Sequence, residues 1–244
     1  MPIKKVTFKI LRYKPQHIDP PRFQEFTVEV DSNASVLDGL EKIRLEQDKT
    51  LMYRHSCHHC SCGTCACKIN GEEKLTCITR IGDLEADRID LTPLENFKPI
   101  GDLVVDMTRF YEDLSEDWRY LRNSEKATSG RRQGGSSRFT RFENCIECGA
   151  CISACPVTDN NSAFLGPAVL AALNCELQKS PQKEKELMSL AGSKRGQHLC
   201  ERALNCSRVC PTGVYPARHI SDLRRLIEKK NLSPLSSCRA RSGL

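Results

Sequence analysis

Aromatic residues and long apolar runs are both scarce in this sequence. Phe, Tyr and Trp make up 6% of the 244 residues, and the longest purely apolar run is AVLAAL at 168–173. A membrane-spanning helix needs about 20 apolar residues. The composition therefore predicts that the chain does not itself cross a membrane.

Motifs for covalent catalysis, nucleotide binding and nucleic-acid binding are also missing. No nucleophile is paired with a base, and the glycine pair at 134–135 lacks the spacing of a nucleotide-binding loop. The net charge is +6, and residues 123–244 hold 19 Lys and Arg against 10 Asp and Glu. We predict no catalytic residues and no nucleic-acid partner. The basic half is interpreted as compensating negatively charged cofactors, or as attracting a membrane surface or an acidic partner.

Cysteine, in contrast, is abundant, with 15 residues. Met1 leads directly into an alternating polar and apolar stretch, which does not resemble a secretory signal. We therefore expect a reducing compartment, in which clustered cysteines bind metal more often than they form disulfides.

The N-terminal part predicts a small α+β domain. Alternating apolar residues indicate strands at 6–10 and 26–30, and a proline-containing loop is expected between them at 15–21. Asp31 to Asn33 offer capping side chains for a helix that follows. Asn70-Gly71 marks a tight turn between two short strands.

From about residue 106 the signals become helical. Residues 107–121 and 216–230 have apolar side chains at helical spacing. Three of them share one face of the second segment: Ile220, Leu223 and Ile227. The stretch at 128–138 is rich in Gly, Ser and Arg and predicts an exposed connector, with a basic docking loop as the alternative; residues 232–244 are typical of a frayed tail.

The first cysteine group has the spacing of a plant-type [2Fe-2S] cluster. Four cysteines follow C-x4-C-x2-C spacing with the last twelve residues further on: Cys57, Cys62, Cys65 and Cys77. Gly63 suits a loop whose amides turn toward sulfur. Cys60 could replace a ligand, and two C-x2-C pairs leave a structural zinc site as the alternative. Three nearby histidines are interpreted as solvated or packing residues and not as Rieske-type ligands: His55, His58 and His59.

Two further cysteine groups have the spacing of a two-cluster bacterial ferredoxin. The run CIECGACISACP is an unbroken C-x2-C-x2-C-x3-C-P motif, and CERALNCSRVCP repeats it with Ala203 in place of the second cysteine. In such proteins the fourth cysteine of each run ligates the other cluster. The ligands predicted for a [4Fe-4S] cluster are Cys145, Cys148, Cys151 and Cys210. The ligands predicted for the other cluster, a [3Fe-4S] cluster that lacks a fourth thiolate, are Cys155, Cys200 and Cys206.

Four cysteines remain and are interpreted as inert thiols: Cys60, Cys67, Cys175 and Cys238. Three clusters in one chain without a catalytic motif predict an electron-transfer protein.

The cluster motifs together resemble one family, the iron-sulfur subunits of succinate dehydrogenases and fumarate reductases. The resemblance covers SCHHCSCGTCACKINGEEKLTC, PLENFKPIGDLVVDMTRFYE, CIECGACISACP and CERALNCSRVCPTGVYP. It implies an α+β fold, with an N-terminal β-grasp plant-type ferredoxin domain at 1–105 and an all-helical bacterial ferredoxin-like domain at 106–244. It also implies a flavoprotein subunit that holds FAD and the dicarboxylate site. A membrane anchor subunit, with quinone near the [3Fe-4S] cluster, would hold the chain peripherally on the cytoplasmic side of the cell membrane.

One stretch differs from the ubiquinone-linked members that this resemblance includes. Those members have an aromatic pair after the Cys-Pro of the run and a histidine early in the last group, where this chain has Asp159, Asn160 and Glu201. The difference favours a menaquinone-type or otherwise divergent anchor, and SAFLGPA at 162–168 is similar to menaquinone-linked members. The quinone vicinity is predicted to include Pro156, Asp159 and Glu201. Glu201 is either a proton-handling carboxylate or a solvated surface residue.

Two alternatives to a quinone-linked relay stay open at this point. One is an iron-sulfur subunit of a thiol- or heterodisulfide-linked fumarate reductase. The other is a zinc-structured binding module that uses the same cysteines.

Overall fold

The computed structural model describes residues 3–114, 144–160 and 163–230, with the side chains of residues 159 and 160 left out. The expected connector at 128–138 and tail at 232–244 lie outside the described residues. The predicted helix at 107–121 is described only to residue 114.

The chain forms two compact units. The first unit comprises Met1–Arg109 and Ile146–Ala154, and the second comprises Phe110–Cys145 and Cys155–Leu244. The sequence prediction divides the chain once, after residue 105. The first unit, however, also takes in part of the cysteine run that begins at Cys145.

A five-stranded mixed sheet organises the first unit. Its strands are β1 (Ile3–Lys14), β2 (Ile18–Asp31), β3 (Ala66–Ile69), β4 (Glu72–Leu75) and β5 (Arg88–Thr92). The strand order is β2-β1-β5-β3-β4, in which β1 and β5 are parallel and all other neighbours antiparallel. Helix α1 (Val36–Glu46) and a short ladder of β6 (Pro99–Gly101) and β7 (Val104–Val105) complete it. The predicted α+β fold class is confirmed.

The apolar alternation of β1 explains where the core of this unit lies. Val6, Phe8 and Ile10 are fully buried, as the period of two predicts, and they belong to one apolar cluster with residues of α1. Gly39 permits a close approach of α1 to the sheet, since a Cβ at this position would lie 2.3 Å from Cζ of Phe8.

The β1–β2 hairpin is longer than the sequence pattern predicts. The expected proline-containing loop at 15–21 is wrong in part: Pro15 lies in the turn between the strands, but β2 already begins at Ile18 and includes Pro20 and Pro21. Proline lacks the N–H that a central strand needs, but β2 lies at the edge of the sheet, where Pro20 and Pro21 are tolerated.

The cap of α1 also differs from the prediction. Asp31 to Asn33 do not cap the helix; Ser35 is the N-cap. Its hydroxyl accepts a hydrogen bond from the Asp38 N–H at 3.1 Å, and the Asp38 carboxylate accepts one from the Ser35 N–H at 2.8 Å. This capping box satisfies two N–H groups that the first turn leaves without helical partners.

A buried arginine connects β1 to the loops that flank it. Arg12 is 1% exposed and contacts Asp48 at 2.6 Å and Asp102 at 3.0 Å, the second pair being charged but poorly aligned for a hydrogen bond. Asp102 also accepts hydrogen bonds from the N–H groups of Tyr13 and Met52. Burial opposes ionisation of Asp48, but hydrogen bonds from Thr50 and Arg12 outweigh it and lower the pKa of Asp48 to about 2.

Helices dominate the rest of the described chain. They are α2 (Thr108–Glu112), α3 (Ala150–Ser153), α4 (Pro156–Asn160), α5 (Gly166–Lys179), α6 (Glu184–Ala191), α7 (Asn205–Arg208) and α8 (Pro216–Lys229), with short 3-10 turns at Gly82–Leu84, Pro181–Lys183 and Gln197–Leu199. Within the described ranges, no helix combines the length and the apolar character that crossing a membrane requires.

Helices α5 and α8 form the centre of the second unit. Residues 166–176 of α5 are all buried, and α8 packs against this helix. The predicted apolar face of α8 is confirmed, since its three apolar residues are at most 3% exposed: Ile220, Leu223 and Ile227. Asn174 and His219 join the two helices through a buried contact of 3.0 Å between Nδ2 and Nδ1.

Candidate iron-sulfur cluster sites

The first predicted site lies on the loop before β3 and just after β4. Its four predicted ligands are close together: Cys57, Cys62, Cys65 and Cys77. The thiol groups of Cys57 and Cys62 are hydrogen-bonded, as are those of Cys65 and Cys77. The charge of the Cys57 thiolate also raises the pKa of Cys77, so the two pairs lie close to each other.

Backbone N–H groups surround the sulfur of Cys57. His59, Ser61 and Cys62 donate to Sγ at 3.5, 3.2 and 3.3 Å. Left-handed backbone at His58, Cys60 and Gly63 curls the loop so that successive N–H groups converge: their φ angles are 60°, 62° and 69°. Burial opposes ionisation of Cys57, but these donors outweigh it and lower the pKa of Cys57 to about 6. Cys57 is thus prepared to act as a thiolate ligand.

Cys77, unlike Cys57, is not stabilised as a thiolate by its protein surroundings. Burial, together with the nearby Cys65 and Cys57 sulfurs, raises the pKa of Cys77 to about 12, even though the Cys60 N–H donates to it. Four thiolates in so small a space repel one another unless positive charge lies between them. Iron supplies that charge, so the donor set fits a [2Fe-2S] cluster.

The two surplus cysteines of this region have different surroundings. Cys67 is 2% exposed and belongs to the apolar core of the sheet, where burial raises the pKa of its thiol. Those surroundings agree with an inert thiol. Cys60 is half-buried on the cluster loop, and its N–H supports Cys77. The assignment of Cys62, and not Cys60, as a ligand stays a prediction.

Gly63 is the point at which this loop meets the second cysteine run. A Cβ on Gly63 would lie 2.5 Å from the carbonyl oxygen of Ile146 and 2.8 Å from Cβ of Cys148. Any larger residue therefore requires one of these segments to move. The contact of Gly63 with the second cysteine run cannot be predicted from the sequence, because the 82 residues between Gly63 and Ile146 give no local signal.

Hydrogen bonds join the part of the second cysteine run at Ile146–Ala154 to the rest of the first unit. Ser153, which is 3% exposed, donates to Oε1 of Glu73 at 2.8 Å and accepts from the N–H of Glu95 at 2.9 Å. The Asn96 side-chain amide donates to the carbonyl oxygens of Ile152 and Ser153. The position of Cys148 relative to the first site is therefore held by several independent contacts.

The four ligands predicted for the [4Fe-4S] cluster divide between the two units. Cys148 and Cys151 belong to the first unit, and Cys145 and Cys210 to the second. Left-handed backbone at Glu147 and Gly149 curves the run, with φ angles of 53° and 81°. Cys210 accepts a hydrogen bond from the Val214 N–H at 3.3 Å, as a cluster thiolate would.

The third set of predicted ligands comes together within the second unit. Burial, and then the nearby Cys155 and Cys200 sulfurs, raises the pKa of Cys206 to about 12. These three thiolates, like those of the first site, need a shared cation. Ala203 is exposed and lies between Arg202 and Leu204, both with left-handed φ angles near 60°. No sulfur is available at this position of the loop.

The residues predicted near quinone are only partly described. Pro156 begins α4 and is exposed, and Glu201 is exposed next to Cys200. The Asp159 side chain lies outside the description. Their proximity to quinone stays a prediction.

Comparisons with known proteins agree with this arrangement. The 2Fe-2S iron-sulfur cluster binding domain family matches residues 7–112, and the 4Fe-4S dicluster domain family matches residues 141–214. The mitochondrial succinate dehydrogenase [ubiquinone] iron-sulfur subunit of Candida glabrata is 33% identical over 90% of this chain and 90% of its own. This chain belongs to the family of succinate dehydrogenase and fumarate reductase iron-sulfur subunits.

Another member of this family is the fumarate reductase iron-sulfur subunit of Escherichia coli O6:H1, which is 33% identical over 89% of this chain and 91% of its own. A chain of the Mycobacterium smegmatis Sdh1 complex in the apo form shares the fold. Its TM-score is 0.73 at 21% identity, with 96% of this chain and 99% of that chain covered. The predicted family is confirmed; the predicted menaquinone-linked type is not confirmed by these comparisons.

Proposed function

We propose that this chain is the electron-transfer subunit of a succinate:quinone oxidoreductase, relaying electrons between the FAD of a flavoprotein subunit and a membrane quinone. The chemistry comes from one-electron redox changes of a [2Fe-2S], a [4Fe-4S] and a [3Fe-4S] cluster. The protein binds these clusters and tunes them through N–H donors to their sulfur ligands.

The contact of Gly63 with Cys148 is the observation that carries this proposal. It brings the loop of the first predicted cluster into van der Waals contact with a predicted ligand of the second. Two metal sites that served only to stabilise separate domains would not need such an approach. Electron transfer between the two clusters is favoured by it, because the rate of transfer falls steeply with the separation of the clusters.

The three clusters are assigned to two domains. We assign residues 1–105 to the [2Fe-2S] domain and residues 106–244 to the domain with the other two clusters. The flanking family matches at 7–112 and 141–214 support this division. The absent thiolate at Ala203 supports a [3Fe-4S] cluster on Cys155, Cys200 and Cys206.

The partners and the location follow from family membership. We assign a flavoprotein subunit as the partner that holds FAD and the dicarboxylate, and a membrane anchor subunit as the partner that holds quinone. The chain then lies peripherally on the cytoplasmic side of the cell membrane. Asp159 and Glu201, at positions where ubiquinone-linked members have other residues, support a menaquinone-type quinone.

EPR spectroscopy of the anaerobically purified complex, titrated with succinate and then with a quinol, tests this function. We expect signals of three cluster types and reduction by at least one of the two donors. Colourless protein that contains zinc and no iron would instead support the zinc-structured binding module. A stable four-iron cluster at the third site would contradict the [3Fe-4S] assignment.

A further inference from the structure

Two imidazoles and one carboxylate converge beside the [2Fe-2S] loop without belonging to the predicted ligand set. Nδ1 of His55 lies 3.0 Å from Nε2 of His58. Oε1 of Glu41 lies 3.6 Å from Nδ1 of His55 and 3.8 Å from Nε2 of His58. In the sequence, both histidines are interpreted as solvated or packing residues, and no pattern points to Glu41.

This triangle has the size of a metal coordination shell. Nitrogen and oxygen ligands bind zinc at about 2.0–2.1 Å, and tetrahedral angles then place neighbouring ligand atoms about 3.3 Å apart. The three observed separations, 3.0, 3.6 and 3.8 Å, bracket that value.

Each of the three side chains is oriented by its own surroundings. Glu41 projects from the middle of α1, a helix anchored in the core of the sheet. The His55 ring stacks on Tyr53 at 5.5 Å between centroids, and the Arg44 guanidinium lies 5.7 Å from the centre of the same Tyr53 ring. The side chains therefore do not depend on a metal to meet.

The left-handed backbone of His58 places the third group. Its φ of 60° belongs to the curl that directs N–H groups toward Cys57, and the imidazole meets the His55 ring edge-on at 5.1 Å. The exposed fractions of Glu41, His55 and His58 are 33%, 34% and 44%, so a metal ion has access from solvent.

We propose that Glu41, His55 and His58 form a surface site for one divalent transition-metal ion of the Zn²⁺ class. Two imidazoles with one carboxylate suit Zn²⁺, Cu²⁺ or Ni²⁺, whereas Ca²⁺ and Mg²⁺ prefer oxygen ligands alone. The bound ion joins α1 to the [2Fe-2S] loop. The site is separate from the clusters, since it uses no sulfur.

Calorimetric titration of the anaerobically purified holoprotein with Zn²⁺ tests the stoichiometry and the ligands. We expect one ion per chain in the wild type and at least a tenfold loss of affinity in each of three variants. Glu41→Gln keeps the shape of the side chain, His55→Phe keeps the ring on Tyr53, and His58→Asn tolerates the left-handed backbone. His17→Ala, in an exposed turn, is the control and should bind like the wild type.

Iron and sulfide content, measured in parallel, shows that each variant retains its clusters. Zinc K-edge X-ray absorption on the wild type gives a test that needs no variant: we expect only nitrogen and oxygen neighbours at about 2.0–2.1 Å. Sulfur neighbours at about 2.3 Å would show that zinc had entered a cysteine site and would overturn the proposal. The absence of stoichiometric binding, or unchanged affinity in a cluster-containing His55→Phe variant, would overturn it as well.

Discussion

Replacement of Gly63 by alanine should destabilise the protein in two ways, through its left-handed backbone and through a steric clash with the second cysteine run. The residue has a φ of +69°, and a left-handed backbone costs alanine about 1–2 kcal/mol. The new Cβ also meets the Ile146 carbonyl oxygen at 2.5 Å and Cβ of Cys148 at 2.8 Å. Overpacking of this kind costs about 1–3 kcal/mol more. We therefore expect Gly63→Ala to destabilise the first unit by about 2–5 kcal/mol, the sum of the two costs.

Gly71→Ala provides the matched control. Its φ is +83°, but a Cβ there would have no neighbour within 4 Å, so only the conformational cost of about 1–2 kcal/mol applies. At about 2–4 °C per kcal/mol, the expected fall in Tm is about 4–20 °C for Gly63→Ala and about 2–8 °C for Gly71→Ala. Thermal scans of the holoprotein at one fixed rate, followed by visible absorbance and circular dichroism, measure both.

The difference in Tm between the two variants measures the cost of the close contact alone. A fall in Tm for Gly63→Ala that is no larger than that for Gly71→Ala would refute the close contact with Cys148. We also expect slower succinate-dependent turnover of the assembled complex for Gly63→Ala alone, because its loop must move away from Cys148 to admit the methyl group.

Three further predictions address the acid response of the first unit, the anchoring of the cysteine run and the third cluster. The folded-state pKa of Asp48, about 2, lies below its ordinary value, so its stabilising contribution is present above about pH 4 and is lost as the pH falls through 2. After discounting for solvent screening, the difference in unfolding free energy between the wild type and Asp48→Asn should be about 1–2 kcal/mol at pH 6 and should shrink toward pH 2; a constant difference would contradict this. Ser153→Ala should lower the unfolding free energy by about 1–3 kcal/mol in denaturant titrations, because the Glu95 N–H and the buried Glu73 carboxylate lose their partner, and an unchanged midpoint would argue against this anchor. Ala203→Cys should replace the [3Fe-4S] EPR signal of the oxidised protein with a four-iron cluster, and persistence of the three-iron signal would exclude Ala203 as the missing corner.

The apolar periodicity of the sequence predicts much of the fold, and the spacing of its cysteines predicts the ligand sets. The buried faces of β1 and α8 follow directly from periods of 2 and about 3.6 residues. Ligand spacing predicted three sets, and the structure brings the first and the third of them together within their units.

The contacts that sequence reasoning missed are those between distant segments. The predicted strands of the β1–β2 hairpin are too short because prolines are rare in central strands. That β2 lies at the edge of the sheet cannot be inferred from residues 15–21 alone. The contact of Gly63 with Cys148 and the convergence of Glu41 with His55 depend on how the sheet brings together elements that are remote in sequence. No local pattern indicates either.

The discontinuous make-up of the first unit has a consequence for biosynthesis. Residues 110–145 separate its two stretches of chain, and a ribosome releases these stretches in order. When residue 109 has emerged, the apolar patch around Leu94 and Val105 still lacks Ile146 and Cys148, which complete it. The cysteine loop around Gly63 therefore stays exposed on this side of the nascent chain until residues 146–154 have been synthesised. A gene fragment that stops at residue 109 should yield a ferredoxin domain whose cluster is open to oxygen on that side.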